Sequence, residues 1–330
     1  MKFFDKNNLK TLEKKDLENG ISVECTGLIT DIANCTTKTG SSYVKLTVID
    51  QEDEIVANKW GCDSNSLGFE VGDVVALILD TKEFNGNITF TIKGISNSGL
   101  NKSDFIKTSD FNAMDMYNVL LNALKKVNSG GMYSVSGIAI EILEDNKPAL
   151  LNHGAAKNVH HNYKSGLLEH TSFILANAKN VYNIYGNNGK FLDEELLMSG
   201  VILHDIGKLR ELDTDELGIS EYTVDGQLFG HLLIGVEMVD EVVWKNGKEH
   251  YDLERVNLLK HMIASHHGNL EWGAISFPRI PEALVLHMLD NLDAKLKVFQ
   301  EEFKNVDSGK ISDNKAFMLN NVNVYKASNK

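Results

Sequence analysis

The stretch VILHDIGKLREL, residues 201 to 212, decides how the second half of the chain folds and what chemistry it carries. His204 and Asp205 are adjacent at the end of an apolar helical pattern, and Gly207 and Lys208 follow at once. Neighbouring residues on a helix point about 100° apart, so both side chains reach one site only if it lies across the helix end. The pattern therefore predicts that the other members of the site come from other helices.

The candidate partners are histidines and one aspartate in separate helical segments. All eleven histidines lie from His153 onward. The candidates in or beside apolar helical patterns are His170 in GLLEHT, His231 in FGHLLIG, His266 and His267 in ASHHGNLEWG, and Asp290 in LHMLDNLDAK. A single histidine there is more often a hydrogen-bonded core residue, but the whole set would need a separate buried partner for each member. Convergence on metal is the simpler explanation.

This donor set predicts a metal-dependent phosphohydrolase. Histidines and carboxylates without thiolates suit divalent ions such as Mn²⁺, Fe²⁺ or Zn²⁺, and Mg²⁺ is a further candidate. The carboxylate of Asp205 can bridge two ions, which would together bind a phosphate oxygen and activate a water. We therefore expect two ions per site, and the donor set leaves the choice among Mn²⁺, Fe²⁺, Zn²⁺ and Mg²⁺ open.

The ligand choice around Asp290 has one alternative. His287 and Asp293 lie three residues to either side of Asp290 and share its helix face, so Asp293 is the other candidate ligand. Two histidines are left out of the set. His250 lies in the charged turn NGKEHYD, and the spacing of His261 from the SHHG motif fits no helix-neighbour position.

Basic residues near the ligands are candidates for contact with phosphate. Lys208 is interpreted both as a charge at the end of a helix and as a cation that meets the scissile phosphate or protonates the leaving oxygen. The loop HGAAKNVHHNYKSG, residues 153 to 166, precedes the first ligand and is a candidate for substrate binding. Its basic residues are Lys157, His160, His161 and Lys164. The alternative is an ordinary solvated loop.

The N-terminal part of the chain has the pattern of a small β-barrel. Residues from about 21 to 95 contain five strand candidates: ISVECTGLITDI, SYVKLTVID, EIVANKW, DVVALILD and NITFTIKGI. A five-stranded OB-fold fits this length and commonly binds single-stranded nucleic acid through aromatic and basic residues. The residues available for such a face are Tyr43, Lys45, Trp60, Phe84 and Phe90. The alternative is that these aromatics fill the barrel core.

The predicted fold is therefore multi-domain α+β, with an OB-fold barrel followed by an all-α domain. The expected boundaries are 1–100 for the barrel, 101–112 for a linker, 113–310 for the helical domain and 311–330 for a C-terminal tail. Helices are expected at about 165 to 185, 193 to 206, 228 to 245, 252 to 266 and 281 to 304.

Composition narrows the class of protein. A chain of 330 residues with 42% hydrophobic residues can bury more than one core. The charged N-terminus and the lack of a long apolar run predict a cytoplasmic protein with no membrane partner, and homo-oligomers stay open. Cys25, Cys35 and Cys62 are odd in number and fit reduced thiols. A net charge of −13 means that any polyanion must bind at metals or at a local basic patch.

The HD pair between an upstream histidine and a downstream aspartate resembles the HD superfamily of metal-dependent phosphohydrolases. The wider ordered set resembles the YhaM family of 3′-5′ exoribonucleases over nearly the whole chain: AAKNVHH, GLLEHT, HDIGK, GHLLIG, SHHG with EWG, and LHMLDNLDAK. The resemblance implies an OB-fold joined to an HD domain, and Mn²⁺-dependent degradation of RNA from its 3′ end to nucleoside 5′-monophosphates. It also implies ligand roles for His170, His204, Asp205, His231, His266, His267 and Asp290.

Three positions depart from the family pattern. Gly154 stands where proline is expected, Ser165 replaces the first glycine of GGLLEHT, and the tail has LNNVNVY where an arginine is expected after Asn. None removes a proposed ligand. They bear on substrate handling near the loop and the tail.

The sequence as a whole predicts a metal-dependent 3′-5′ exoribonuclease acting on single-stranded RNA with a free 3′ end, and on single-stranded DNA as a second substrate. Asp205 and Lys208 are the expected catalytic residues. One alternative keeps the metal site but acts on free or cyclic nucleotides. Another is a nucleic-acid-binding factor whose helical domain has no catalytic role.

Overall fold

The structure is a computed structural model, and it describes residues 22–51, 54–84, 87–155, 163–186, 190–215, 219–304 and 306–329. The chain divides into two compact units. The first comprises Met1–Thr108 and Glu216–Ile219, and the second comprises Ser109–Asp215 and Ser220–Lys330.

The first unit is a mixed five-stranded sheet that closes on itself. Its strands are β1 (Ser22–Thr36), β2 (Ser42–Ile49), β3 (Glu54–Trp60), β4 (Val74–Phe84) and β5 (Asn87–Asn97), with a short helix α1 (Ser64–Leu67) after β3. The hydrogen-bonded order is β1-β2-β3-β5-β4, and β1 pairs with both β2 and β4. Strands β3 and β5 are parallel, while the other pairs are antiparallel. The prediction of a five-stranded N-terminal sheet is confirmed.

Alternation of apolar and polar residues builds the core of this sheet. In β2 the alternate residues Val44, Leu46 and Val48 are fully buried, as expected for a strand with one face on a core. Gly27 makes a close approach possible, since a Cβ there would lie 3.1 Å from the Cβ of Val48.

The second unit is helical. Its helices are α2 (Ala113–Val127), α3 (Val135–Asp145), α4 (Lys147–Leu150), α5 (Gly166–Tyr185), α6 (Glu194–Leu203), α7 (Lys208–Glu211), α8 (Val224–Lys245), α9 (Leu253–Ser265) and α10 (Pro281–Lys304). One continuous apolar cluster joins them, and Leu168, Val201, Met262 and Leu286 are among its most buried members. A helical domain after the sheet is the predicted order, and it is confirmed.

Two predicted segments differ in detail from the structure. The helix expected over 193–206 ends at Leu203, because the chain turns there to begin α7. The short strands β6 (Leu212–Thr214) and β7 (Ser220–Tyr222) pair between α7 and α8. The segment 311–330 contains a hairpin of β8 (Ile311–Ala316) and β9 (Val322–Tyr325), and Phe299 of α10 packs against the buried cluster that includes Val324. Apolar side chains thus attach this segment to the helical unit.

Candidate metal centre

Close packing of two helices positions the HD turn. His204 follows the last residue of α6, and the chain then turns into α7. A Cβ on Gly207 would lie 2.1 Å from the carbonyl oxygen of His231 and 2.7 Å from the amide nitrogen of Gly235. Only glycine permits that approach. The glycines of HDIG and HLLIG therefore bring α8, and with it His231, against Asp205.

A kink in α8 orients His231. Gly230 has φ 68° and ψ 158°, so the helix is interrupted one residue before the histidine. The backbone amide and the Nδ1 atom of His231 both lie 3.1 Å from Oε1 of Glu211, at the end of α7. The carboxylate thus holds both the backbone and the ring of His231.

One side of the centre is built around the Oδ2 atom of Asp205, and we call it the inner half. His204 Nε2 lies 3.3 Å and His170 Nε2 lies 3.6 Å from that oxygen. His170 Nε2 also lies 3.2 Å from Oδ1 of Asp290. Lys208 donates to the same Asp205 oxygen at 2.7 Å. Two imidazoles and two carboxylates therefore meet here from α5, the HD turn and α10.

The opposite side, the outer half, is built around the Oδ1 atom of Asp205. The Nε2 atoms of His231 and His266 both lie 3.5 Å from that oxygen. The ring of His267 has its centroid 4.6 Å from that of His266 and 5.1 Å from that of His231. Possible ligand atoms lie within 4.8 Å of one another in two groups, one of His170, His204 and Asp205 and one of His231, His266 and His267. Asp205 presents one oxygen to each group.

The five histidines share one feature, which is a partner at Nδ1. The acceptors are Asp293 Oδ2 for His170 at 2.7 Å, Val201 O for His204 at 2.8 Å, Glu211 Oε1 for His231 at 3.1 Å, Ile263 O for His266 at 2.8 Å and Trp272 O for His267 at 2.9 Å. A neutral imidazole that donates at Nδ1 keeps a lone pair on Nε2. The arrangement therefore leaves all five Nε2 atoms available as ligands.

The same contacts distinguish the two aspartates of α10. Asp293 accepts from Nδ1 of His170, on the outside of the ring, whereas Asp290 faces Nε2. His287, on the same helix face, has its Nδ1 2.8 Å from the carbonyl of His266. This geometry favours Asp290 as a ligand and gives Asp293 and His287 supporting positions.

The electrostatics of the centre fit a bound cation. Burial alone would raise the pKa of Asp205, but Lys208 and the neighbouring histidines hold it well below its usual range, so the carboxylate is ionised. Burial lowers the pKa of His266 to about 4 and keeps that ring neutral. Burial also opposes protonation of His170, yet Asp290 and Asp293 raise its pKa to about 9, so a cation binding at Nε2 displaces a proton.

One buried atom gives a direct test of fit. The Nε2 atom of His231 is buried and has no hydrogen-bond partner among the described residues. Leaving such an atom unsatisfied costs about 1–3 kcal/mol, whereas a divalent cation uses it as a ligand. The donor set and this orphaned nitrogen together fit a divalent ion.

Several predicted residues lie elsewhere. Lys157, His160 and His161 fall outside the described residues. His153, at the start of the predicted substrate loop, is buried, with its ring nitrogens 2.7 Å from the carbonyl of Gly154 and 3.2 Å from that of Leu212. That end of the loop thus serves packing, and the substrate-binding role of the basic residues that follow it stays a prediction.

Ser165, one of the departures from the family pattern, has φ 65°, a conformation that favours glycine. Its hydroxyl donates to the carbonyl of Leu151 at 2.7 Å, which offsets part of the strain.

The two histidines left out of the predicted ligand set have partners of their own. His250 packs on the ring of Tyr133, and His261 Nε2 accepts from the backbone amide of Arg279 at 3.0 Å.

Reasoning from sequence missed the carboxylate of Glu211 and the backbone carbonyls of Val201, Ile263 and Trp272. Glu211 could have been noticed as a carboxylate inside the apolar end of VILHDIGKLREL. The carbonyls have no signal in the sequence, because every residue carries one.

The sheet of the first unit has an aromatic surface. Tyr43 pairs with Trp60 across β2 and β3, and their ring centroids lie 4.6 Å apart. Trp60 is 50% exposed, and Lys45 is exposed two residues along the same face as Tyr43. Phe90 packs partly against the core, which supports the alternative interpretation for that residue. The side chain of Phe84 lies outside the described residues.

The fold and this centre are those of an HD-domain protein, and residues 167–295 match the HD domain family. The 3′-5′ exoribonuclease YhaM of Listeria welshimeri is 30% identical over 321 residues, which are 95% of this chain and 98% of that protein. YhaM of Bacillus subtilis is 29% identical over 292 residues, 87% of this chain and 89% of that protein. The chain belongs to the YhaM family of 3′-5′ exoribonucleases, as the motifs predicted.

Two solved OB domains also resemble part of the chain. The OB domain of a Thermoplasma acidophilum protein is 18% identical and covers 28% of this chain and 86% of that domain, with a TM-score of 0.23. The second OB-fold domain of replication protein A from Methanococcus maripaludis is 13% identical and covers 27% of this chain and 95% of that domain, with a TM-score of 0.22. Within the described ranges, no helix has the length and apolarity needed to cross a membrane.

Proposed function

We propose that this protein is a divalent-metal-dependent 3′-5′ exoribonuclease that releases nucleoside 5′-monophosphates from single-stranded RNA. The observation that carries the proposal is the placement of Asp205, whose two carboxylate oxygens face two separate groups of histidine nitrogens. A bridging carboxylate between two sets of ligands is the arrangement of a two-metal phosphodiesterase.

Seven side chains would hold the ions: His170, His204, Asp205, His231, His266, His267 and Asp290. The ions would activate a water and stabilise charge on the phosphoryl oxygens. Five imidazoles among the ligands favour Fe²⁺ or Zn²⁺ over the oxygen-seeking Mg²⁺. The carboxylates of Asp205 and Asp290 also suit Mn²⁺, which is the ion that the family resemblance implies and the first choice of this proposal.

Lys208 contributes charge rather than a proton in this proposal. Its ammonium donates to Asp205 Oδ2 at 2.7 Å, and only 16% of its side chain is exposed. Burial would lower the pKa of Lys208, but Asp205 raises it, so the ammonium stays protonated. A fixed positive charge beside the ligands offsets the charge that develops on the phosphate.

The expected product follows from which bond breaks. Water attacks the phosphorus of the last internucleotide linkage, and the 3′-oxygen of the preceding nucleotide leaves with a proton. The phosphate therefore remains on the 5′-oxygen of the released nucleotide. The ring pair of half-buried Tyr43 and exposed Trp60, with exposed Lys45, supports an OB-type sheet that holds the single strand.

The proposal is tested with 5′-labelled single-stranded RNA, single-stranded DNA and free or cyclic nucleotides. Each is incubated with Mn²⁺ or with chelator, beside Asp205→Ala. Progressive shortening of RNA that requires both metal and Asp205, with 5′-monophosphates as products, is the expected result. Binding of RNA without shortening under every divalent metal would contradict it, and turnover of nucleotides alone would replace the proposed substrate.

A further inference from the structure

The segment 268–280, which we call the 268–280 loop, leaves the outer half of the centre directly after His267. It begins with Gly268, whose φ is 73° and whose Cβ position would lie 2.2 Å from the ring of His287. The backbone amide of Ile275 donates to the carbonyl of Ala264 at 2.9 Å. The loop is thus ordered, and it starts at a candidate metal ligand.

The second part of the loop runs back along α9. The backbone amide of Arg279 donates to Nε2 of His261 at 3.0 Å. A helix rises about 1.5 Å per residue, so the loop extends roughly 8 Å along α9 from His266 to the level of His261. An RNA strand whose 3′ end lies at the centre would contact this loop with the nucleotides that precede that end.

The loop exposes large apolar side chains. Trp272 is 56% exposed, Ile275 is 55% exposed and Phe277 is 48% exposed. Trp272 is tied to the centre, because its carbonyl accepts from Nδ1 of His267 at 2.9 Å. Its ring centroid lies 6.2 Å from that of His287. An exposed tryptophan beside a catalytic centre provides a surface on which a base of any identity can stack.

The loop also carries an arginine that differs from the other two in the chain. Only Arg210, Arg255 and Arg279 occur in the sequence. Arg210 forms a two-pronged pair with Glu241, and Arg255 pairs with Asp193 and Glu195. Arg279 is exposed and forms no ion pair with any residue that the structure describes. Its guanidinium is therefore available, and guanidinium groups bind phosphate in two-pronged geometry.

We propose that the 268–280 loop is the platform for the last nucleotides of the RNA, where Trp272 stacks on a base and Arg279 pairs with a backbone phosphate. This inference rests on the proposed exoribonuclease function and adds where the substrate lies. Arg279 would also supply a local positive charge for RNA on a chain whose net charge is −13. Neither contact reads base identity, so the platform accepts any sequence.

Trp272 is tested by substitution with alanine and with phenylalanine in the full chain. Trp272→Ala is expected to raise KM for single-stranded RNA by roughly tenfold, with a smaller effect on kcat, and Trp272→Phe to restore most of the loss. Trp244→Ala is the matched control, because Trp244 is 63% exposed on α8 outside the loop. Mn²⁺ affinity of each variant is measured by calorimetry. A loss of Mn²⁺ affinity in Trp272→Ala that explains the change in KM would overturn the stacking role.

Arg279 is tested through salt dependence. A single-strand phosphate contact contributes about 0.7 to the slope of log affinity against log salt. Arg279→Gln is therefore expected to reduce the salt slope of 1/KM by about 0.7, while Arg279→Lys keeps it. Lys190→Gln is the matched control, because Lys190 is exposed and its substitution removes one positive charge outside the loop. An unchanged slope in Arg279→Gln would overturn this part of the platform.

The two proposals fail in different ways. If the wild-type protein does not shorten RNA with any divalent metal, the exoribonuclease function fails, and the platform fails with it. If the wild-type protein shortens RNA while Trp272→Ala and Arg279→Gln behave like their controls, only the platform is wrong.

Discussion

The two halves of the metal centre differ in burial and in ligand chemistry. In the inner half, His170 and His204 are 1% and 0% exposed and share the space with two carboxylates, those of Asp205 and Asp290. The outer half has three imidazoles and only one carboxylate oxygen, and His231 and His267 are partly exposed. A buried, charge-rich half holds a cation tightly, whereas an exposed half admits substrate.

From this difference we expect a division of labour, in which an ion in the inner half would be retained and an ion in the outer half would meet water and the RNA end. The 268–280 loop leaves from the outer half, which agrees with substrate arriving there. Substitutions in the two halves should therefore have unequal effects on metal binding and activity.

Removing Asp205 is expected to have the largest effect, because both halves depend on its two oxygens. Asp205→Ala should lower exonuclease activity by roughly 1000-fold or more and remove most of the bound metal, as measured by RNA shortening and by elemental analysis. Asp213→Ala, an exposed aspartate on the strand after α7, is the control and should keep both. Two ions retained per Asp205→Ala chain would contradict the bridging role.

Removing one histidine from each half should give unequal losses. His170→Ala is expected to abolish activity at all Mn²⁺ concentrations, because it leaves His204 as the one imidazole of the inner half and also removes the partner of Asp290. His267→Ala should instead raise the Mn²⁺ concentration for half-maximal activity by about 10- to 100-fold and regain activity with excess metal. The measurement is a Mn²⁺ titration of activity, with His250→Ala as control. Equal behaviour of the two variants would show that the halves are equivalent.

Substituting the carboxylates that contact Nδ1 of the ligand histidines should lower metal affinity by a smaller factor. Glu211→Gln leaves His231 with a weaker partner, and Asp293→Asn does so for His170. Each is expected to lower metal affinity by about tenfold, at the low end of the range for such partners. Calorimetric titration should show Glu211→Gln weakening the looser of two binding steps and Asp293→Asn the tighter one. The reverse assignment would mean that the inner half is the weaker site.

The smallest effect is expected at the aromatic pair of the sheet. Trp60→Ala removes one stacking surface far along the chain from the ligands and should weaken binding of long RNA by about fivefold, with less effect on dinucleotides. Fluorescence anisotropy with labelled RNA of different lengths measures this. Val56→Ala, another exposed apolar residue of β3, is the control. Equal losses for long and short substrates would place Trp60 outside the RNA path.

Much of the candidate site could be predicted from the sequence. Burying histidines and aspartates in apolar helices costs free energy unless they have polar partners or bind a common ion. The presence of several such residues therefore predicted one shared site without coordinates. The choice between Asp290 and Asp293 needed coordinates, because both lie on one helix face and only their approach to opposite sides of the His170 ring separates them. The buried position of His153 was also hidden, since its partners are backbone carbonyls.

The sequence by itself determined the order of the two units, the identity of the ligand types and the family, because periodicity and residue chemistry are local properties of the chain. Only the tertiary structure decided which oxygen of Asp205 faces which histidines, and that every ligand ring is held at Nδ1. Those relations join residues from five helices and turns, and backbone contacts at Gly207 and Gly230 set them. The HD motif thus predicts the type of chemistry, whereas the packing of α8 against the HD turn gives the centre its two unequal halves.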